Sequence, residues 1–307
     1  MSAVPKETSQ SGINSRKTTF QVSLAIEQGP RDEQQDSVGF FERNGRLLAV
    51  VCDGAGGHRG GREASQTAVE TARIAFEKAD GIFVDPRPAL EEICREADRK
   101  ICQLGESPKL SPKSTIAMVY IDGRTAHWVH VGDSRIYRLQ AGRIKERTRD
   151  HSMVQILFDQ GEVSEDDMGT HPDQGRLLRA LGSGEDLKVS HGVGQLAIGD
   201  AFLLCTDGFW ERTKSQEIEE FFQQKPTEEK LQLMVAEAVR RNGPKGDNTT
   251  ALAVLFGGSR RNRLPEILLI LCGFLTGAVA GVGLFLWIQD ALDFSKILSN
   301  LLQRFPL

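Results

Sequence analysis

Apolar residues in this chain fall into short dense runs separated by Gly, Asp and Asn. Segments 19–26 (TFQVSLAI), 46–52 (RLLAVVC), 114–121 (STIAMVYI), 125–131 (TAHWVHV), 201–205 (AFLLC) and 249–256 (TTALAVLF) are rich in Val, Ile, Thr, Phe and Leu. Turn residues bound most of them, so they read as strands. Segments 60–79, 87–104 and 227–241 carry apolar residues at helical spacing instead. The order is strands, two helices, more strands and a helix, which is not a regular βαβ alternation. It predicts antiparallel sheets with helices packed outside, an α+β layered plan. Segment 152–186 is polar and irregular at its centre (GEVSEDDMGTHPDQG) and reads as a surface insertion of the functional kind.

The two ends depart from this pattern. Residues 1–18 are polar and lack the apolar stretch of a secretory signal, so a flexible tail is expected. Residues 267–288 (ILLILCGFLTGAVAGVGLFLWI) carry no charge, and a bilayer core demands a span of roughly 20 residues. The alternative, a buried core helix, would usually be broken up by polar residues. Arg260, Arg261 and Arg263 lie in a basic linker, 258–266, before the span, and Asp290 and Asp293 follow it. The basic flank belongs on the cytoplasmic side. This predicts a single-pass protein of the cell (inner) membrane, with domain 19–257 cytoplasmic and tail 289–307 outside. Gly273, Gly277 and Gly281 share one helix face and could bring two spans together as a homodimer, or simply be glycines of an ordinary span.

Composition narrows the function. The net charge of −4 shows no footprint for nucleic acid. The cysteines are Cys52, Cys94, Cys102, Cys205 and Cys272, an odd number with no CxxC pair. That argues against a disulfide framework and against a zinc site, and it fits a reducing compartment. The histidines form no HExxH pattern either.

The chemistry lies in acidic residues at the ends of apolar runs. Asp53 follows LLAVVC, Asp133 follows HWVHVG, Asp207 follows AFLLCT, Asp247 precedes NTTALAVLF, and Asp36 precedes another apolar stretch. Any one of these alone is an ordinary turn or cap residue. Together, on one side of a sheet, they would repel unless protonated or bridged by cations. Hard divalent ions prefer such oxygen ligands and retain waters. Two ions roughly 3.5–4 Å apart can share a water and lower its pKa for attack on phosphorus. Arg31 is the candidate to hold the phosphate oxygens, since guanidinium binds them in bidentate fashion.

These residues belong to an ordered set of elements. R-x-x-x-Q-D runs from Arg31 to Asp36, followed by VCDGAGGH at 51–58, GDSR at 132–135, TRDHS at 148–152, RALG at 179–182, CTDG at 205–208 and GDNTT at 246–250. The set resembles the PPM (PP2C-type) protein serine/threonine phosphatases, in their bacterial form, across residues 19–257. The resemblance implies a four-layer αββα sandwich with two Mn²⁺ or Mg²⁺ ions at one edge and a third possible. It implies Asp53 as the bridge between two ions and the Gly54 carbonyl as a ligand of one. Asp207 and Asp247 would serve the other. Asp36 would lie in the cluster, Asp133 would serve the third metal and Arg31 the phosphate. Residues 152–178 match the mobile flap, Asn248 would fix the Asp247 loop, and His151 would support the active-site edge.

Two departures stand out. Gln35 replaces an acidic residue found in many members, keeping an oxygen acceptor but losing a charge. Ala55 stands where some eukaryotic members have the histidine proposed as general acid. His58 has a weaker claim to proton transfer. The expected function is a membrane-anchored phosphatase acting on phosphoserine and phosphothreonine in proteins and opposing a cognate Ser/Thr kinase. The alternative of another class is a catalytically silent binding module of the same fold at the membrane.

Overall fold

The computed structural model describes residues 20–55, 60–105, 111–184 and 186–257. The tail 1–18, His58, the span 267–288 with its glycines and the C-terminal tail lie outside the described residues. Among the described residues, no helix is long and apolar enough to cross a membrane.

The first half of the chain contains β1 (Phe20–Glu27), β2 (Ser37–Arg43), β3 (Arg46–Cys52), the short β4 (Gly54–Ala55), α1 (Gly60–Lys78) and α2 (Pro86–Leu104). Next come β5 (Lys113–Ser114), β6 (Ile116–Asp122), β7 (Thr125–Val131), β8 (Arg135–Gln140), β9 (Arg143–Arg147) and α3 (Met153–Asp159). A 3₁₀ turn, Glu165–Thr170, is followed by β10 (Ser190–Gln195), β11 (Ala201–Cys205), α4 (Asp207–Trp210), α5 (Ser215–Gln223), α6 (Glu228–Asn242) and β12 (Thr249–Phe256). One five-stranded sheet has the order β1-β12-β11-β8-β9 and the other the order β10-β7-β6-β3-β2, with antiparallel neighbours throughout.

The dense apolar runs are explained by two-sided burial. Successive strand side chains point to opposite faces. In β3, Leu47, Ala49 and Val51 enter the core between the sheets, while Leu48, Val50 and Cys52 face α1 and α2. In β11, Phe202 and Leu204 face the other sheet, and Ala201, Leu203 and Cys205 face the helices α4 to α6. Each fully buried large apolar side chain contributes roughly 1.5–3 kcal/mol. Helix α1 lines its buried face with Ala64, Ala68, Ala72 and Phe76, four residues apart, and this narrow stripe lets it lie close to the sheet. The layers therefore run helices, sheet, sheet, helices, as the resemblance implied.

The structure adds elements the pattern did not reveal. Strands β8 (RIYRLQ) and β9 (RIKER) look too charged to be strands, yet Arg135 and Arg138 are buried because Asp150 and Glu146 pair with them. Strand β10 (SHGVGQ) looks too glycine-rich, but its glycines leave room for the Trp128 and Arg138 side chains. Strand β2 is reached through a two-residue hairpin, Asn44-Gly45, with φ of 52° and 73°. Those values are the type I′ geometry that Asn-Gly favours. The segment expected to be an irregular insertion is more ordered than its composition suggests. Ser152 accepts a hydrogen bond from the Gln155 backbone and so caps α3, and Met168 of the 3₁₀ turn is buried in the helix-side core. The strand expected at 114–121 begins at Ile116, because Ser114 pairs with Gly54 in the small β4-β5 ladder.

Candidate metal centre

The sheet registers bring the acidic residues to one edge. Ser37 at the start of β2 pairs with Cys52 at the end of β3, which places Asp36 beside Asp53. Ile116 at the start of β6 pairs with Val131 at the end of β7, which brings Asp133 to the same end. In the second sheet Cys205 pairs with Ala251 and with Arg135. Asp207 therefore emerges next to the turn that carries Asp247 and next to Asp133. The same end of β1 leads to Arg31 through the pairing of Glu27 with Thr249.

Asp36 and Asp133 are buried, Asp53, Asp207 and Glu211 are half-buried, and several of their oxygens lack partners. Asp36 Oδ2 accepts from Thr206 Oγ1 at 2.9 Å and from Thr250 Oγ1 at 2.7 Å, while Oδ1 is buried without a partner. Burial pushes Asp36 up to about 7 against these two hydroxyl bonds. Asp53 is held well above the usual carboxylate range by burial and by the charges of Asp36, Asp247 and Asp133. Asp207 is likewise raised by burial and then by Asp53 and Asp133, and its Oδ1 is a second buried atom without a partner. Asp133 is pushed to about 7 by burial and by Asp150. Glu211, one helical turn after Asp207, is pushed to about 8 by burial, and its Oε1 is a third unpartnered buried atom.

These oxygens fit a divalent cation. The donor set is all oxygen, which suits Mg²⁺ or Mn²⁺, and a bound cation would relieve both the mutual repulsion and the unpartnered atoms. Among the described residues, no three His, Cys, Asp or Glu side chains close into a finished cage. A hard octahedral ion that keeps several waters needs few protein ligands and no such cage. The backbone here is fitted tightly. A Cβ on Gly54 would stand 2.1 Å from the Gly61 carbonyl oxygen, so only glycine lets β4 pass beneath α1. Asp53 is set by reciprocal bonds with Thr115: its N–H donates to Thr115 Oγ1 at 2.9 Å, and its carbonyl accepts from the Thr115 N–H at 2.8 Å.

The rim is organised by Asn248. Its Oδ1 accepts from the Gln35 N–H at 2.8 Å, and its Nδ2 donates to the carbonyls of Gln28 at 2.8 Å and Glu33 at 3.1 Å. This ties the Arg31–Asp36 loop to the start of β12. Gln35 directs its amide to Glu33 Oε1 at 3.1 Å. Arg31 is half exposed and lies at the rim. It donates to Asp247 Oδ2 at 2.6 Å and to the Gly246 carbonyl at 3.1 Å. Ala55 is exposed beside the edge and carries no acid function.

Sequence reasoning missed several residues that the structure recruits. Thr206 and Thr250 hold Asp36, and the hydroxyl residues that CTDG and DNTT place one and three positions from Asp207 and Asp247 were the available signal. Arg135 and Asp150, inside the noted GDSR and TRDHS elements, form a buried bidentate pair at 2.7–3.1 Å, with Arg135 stacked 3.5 Å over the Trp210 ring. Trp210 in turn donates from Nε1 to the Asp133 carbonyl at 2.9 Å. His151 supports this edge from below. The Gly132 N–H donates to its Nδ1 at 3.1 Å, so the ring proton sits on Nε2 and points to Ser190 Oγ at 2.8 Å. Burial and the stacked His130 ring hold His151 down to about 3, which keeps it neutral.

A two-sheet sandwich that gathers uncompensated carboxylates at one edge defines the class of a metal-dependent hydrolase. The profile of the Protein phosphatase 2C family matches residues 31–253. A serine/threonine phosphatase, stp, of Listeria monocytogenes is 32% identical over 230 residues, covering 73% of this chain and 90% of its own length. Among solved structures, the Streptococcus agalactiae serine/threonine phosphatase superposes with a TM-score of 0.68 at 29% identity, covering 77% of this chain and 99% of that one. The catalytic domain of the phosphatase PstP, solved in complex with two manganese ions, also gives 0.68, at 26% identity, covering 78% of this chain and 100% of that one. The chain belongs to the protein phosphatase 2C family of metal-dependent phosphoprotein phosphatases.

Proposed function

We propose that the chain is a membrane-anchored protein serine/threonine phosphatase that uses two Mn²⁺ or Mg²⁺ ions. The observation that carries this reading is the gathering of acids at one sheet edge, with buried oxygens of Asp36, Asp207 and Glu211 left without a partner. Asp53, the Gly54 carbonyl, Asp207 and Asp247 would hold the two ions, with Asp36 steadying Asp53 and Asp133 available for a third. When bound, the ions would supply Lewis acidity toward a water and the phosphate ester.

The chain's own residues do the rest. Arg31 stands at the rim with a guanidinium suited to two phosphate oxygens, and an ion drawing on Asp247 would free it for that contact. Asn248 keeps the Arg31–Asp36 loop in register with Asp247. Ala55 has no proton to give, so the leaving alkoxide would take its proton from solvent.

The uncharged stretch 267–288 and the basic residues before it support an anchor with the catalytic domain in the cytoplasm. A cytoplasmic Ser/Thr kinase is the natural opposing partner, and Gly273, Gly277 and Gly281 would suit pairing of two anchors.

The test is hydrolysis of a phosphothreonine peptide by the full-length chain with Mn²⁺. Turnover well above an Asp53→Asn control supports the reading. Absence of turnover with intact Mn²⁺ binding would favour the silent binding module.

A further inference from the structure

We propose that Arg212 and Asn242 form a clamp that sets the spacing of the two loops carrying Asp207 and Asp247 and ties segment Glu165–Thr170 to them. The role of Arg212 is positioning, and the metal side of the claim rests on the function proposed above.

Asn242 is the last residue of α6 and touches both loops. Its Nδ2 donates to the Gly208 carbonyl at 2.9 Å, directly after Asp207. Its Cβ lies against Gly246, directly before Asp247, where a Cβ on the glycine would stand 2.6 Å away. The two loops also meet each other: a Cβ on Gly208 would stand 2.2 Å from the Asn248 carbonyl oxygen. The junction is backbone against backbone, so a small shift of one loop displaces the other.

Arg212 fixes the orientation of the Asn242 amide. Its Nε donates to Asn242 Oδ1 at 2.7 Å. Guanidinium can only donate, so the amide oxygen must face it and the NH₂ group is left for Gly208. The same guanidinium donates from Nη1 to the Gly169 carbonyl at 3.0 Å, in the 3₁₀ turn of the segment matched to the flap. The Arg212 carbonyl accepts from Arg241 Nη1 at 2.8 Å, and Arg241 is held by Glu217 through two bonds of 2.8 Å. One side chain thus joins three pieces of chain that are distant in sequence.

Packing joins the pieces only in part: Gly169 lies on the Glu211 backbone, where a Cβ would stand 2.6 Å from the Glu211 Cα. A cavity of about 400 Å³, lined by Gly169, Thr170, Glu211, Arg212 and Arg241 among others, opens between the 3₁₀ turn and the 211–217 segment. Where the wall is hollow, directional bonds must hold the separation.

The test uses the full-length chain as wild type, Arg212→Lys, Arg212→Ala and Asn242→Asp. In metal-free protein, hydrogen exchange is expected to quicken at both 165–170 and 207–210 in the two Arg212 variants. In Asn242→Asp it should quicken at 207–210 alone, because a carboxylate still accepts from Arg212 but cannot donate to Gly208. Calorimetry should show Mn²⁺ affinity falling about tenfold or more in all three, the usual cost of losing a partner behind the ligands. Unchanged exchange at 207–210 in Asn242→Asp, or exchange raised uniformly across the whole chain, overturns the clamp. Failure of the wild type to bind Mn²⁺ would instead overturn the proposed metal function, with the exchange data still deciding the clamp.

Discussion

Asp150 and the acids of the candidate metal centre, linked through the repulsion of Asp150 and Asp133, are handled in opposite ways. Asp150 has a side chain with 0% exposure and receives three bonds from Arg135, whose own side chain is 3% exposed. Its charge is answered inside the protein. Asp36 is nearly as deeply placed, and Asp53 and Asp207 are half-buried beside it, but they are answered by hydroxyls or by nothing. A buried charge with a fitted counterion belongs to the fold. Buried charges left to repel mark a place where the counterion comes from outside.

The largest effects should separate the two groups by sign. Replacing Asp53 with Asn removes a proposed bridging ligand. Since metals contribute several kcal/mol and each 1.36 kcal/mol is tenfold in rate, turnover of a phosphothreonine peptide should fall by about 10³-fold. The melting temperature of the metal-free variant should stay level or rise, because a repelling charge has gone. Asp150→Ala should behave in the reverse way. It leaves Arg135 buried and unpaired at a cost of about 3–5 kcal/mol, read as a lowered denaturation midpoint with or without metal. If both variants lose activity and stability in parallel, the distinction fails.

A smaller effect sharpens the contrast through pH. Asp36 and Asp133 sit at about 7 in the folded chain against an ordinary value of 3.8. A carboxyl raised on folding contributes stability below its unfolded value and loses it as pH rises through the folded one. Metal-free protein should therefore lose stability between about pH 4 and 7, and Asp36→Asn should flatten that slope in melts across the range. The smallest effect is expected on the surface of α2. Arg99 pairs with Glu92 and Glu96 on a solvent-washed helix face, where such pairs are screened, so Arg99→Ala should leave both the melting temperature and the turnover unmoved.

What could be read without coordinates follows from which signals are local. Runs such as RLLAVVC and AFLLC announce themselves because both faces of their strands are buried, and the helices of 60–78 and 86–104 show their spacing. The acidic positions stood out for a similar reason, since each punctuates an apolar run. Strands β8 and β9 stayed hidden because their arginines are neutralised by partners across the sheet or in the following loop. The helix α3 was lost in the polarity of the segment around it.

By itself the sequence determined the family, the strand ends that carry Asp36, Asp53, Asp133, Asp207 and Asp247, and the α+β plan, because period-2 burial and turn chemistry are written residue by residue. Only the tertiary structure decided which acids would be compensated. Asp150 meets Arg135 beyond the β8–β9 hairpin and Asp53 meets Asp36 across the open end of the β2–β3 hairpin, and which neighbour each acid receives is set by strand register. The same holds for Thr206 and Thr250 on Asp36 and for Arg212 on Asn242 and Gly169. These contacts join residues tens to hundreds of positions apart, and no local pattern encodes them.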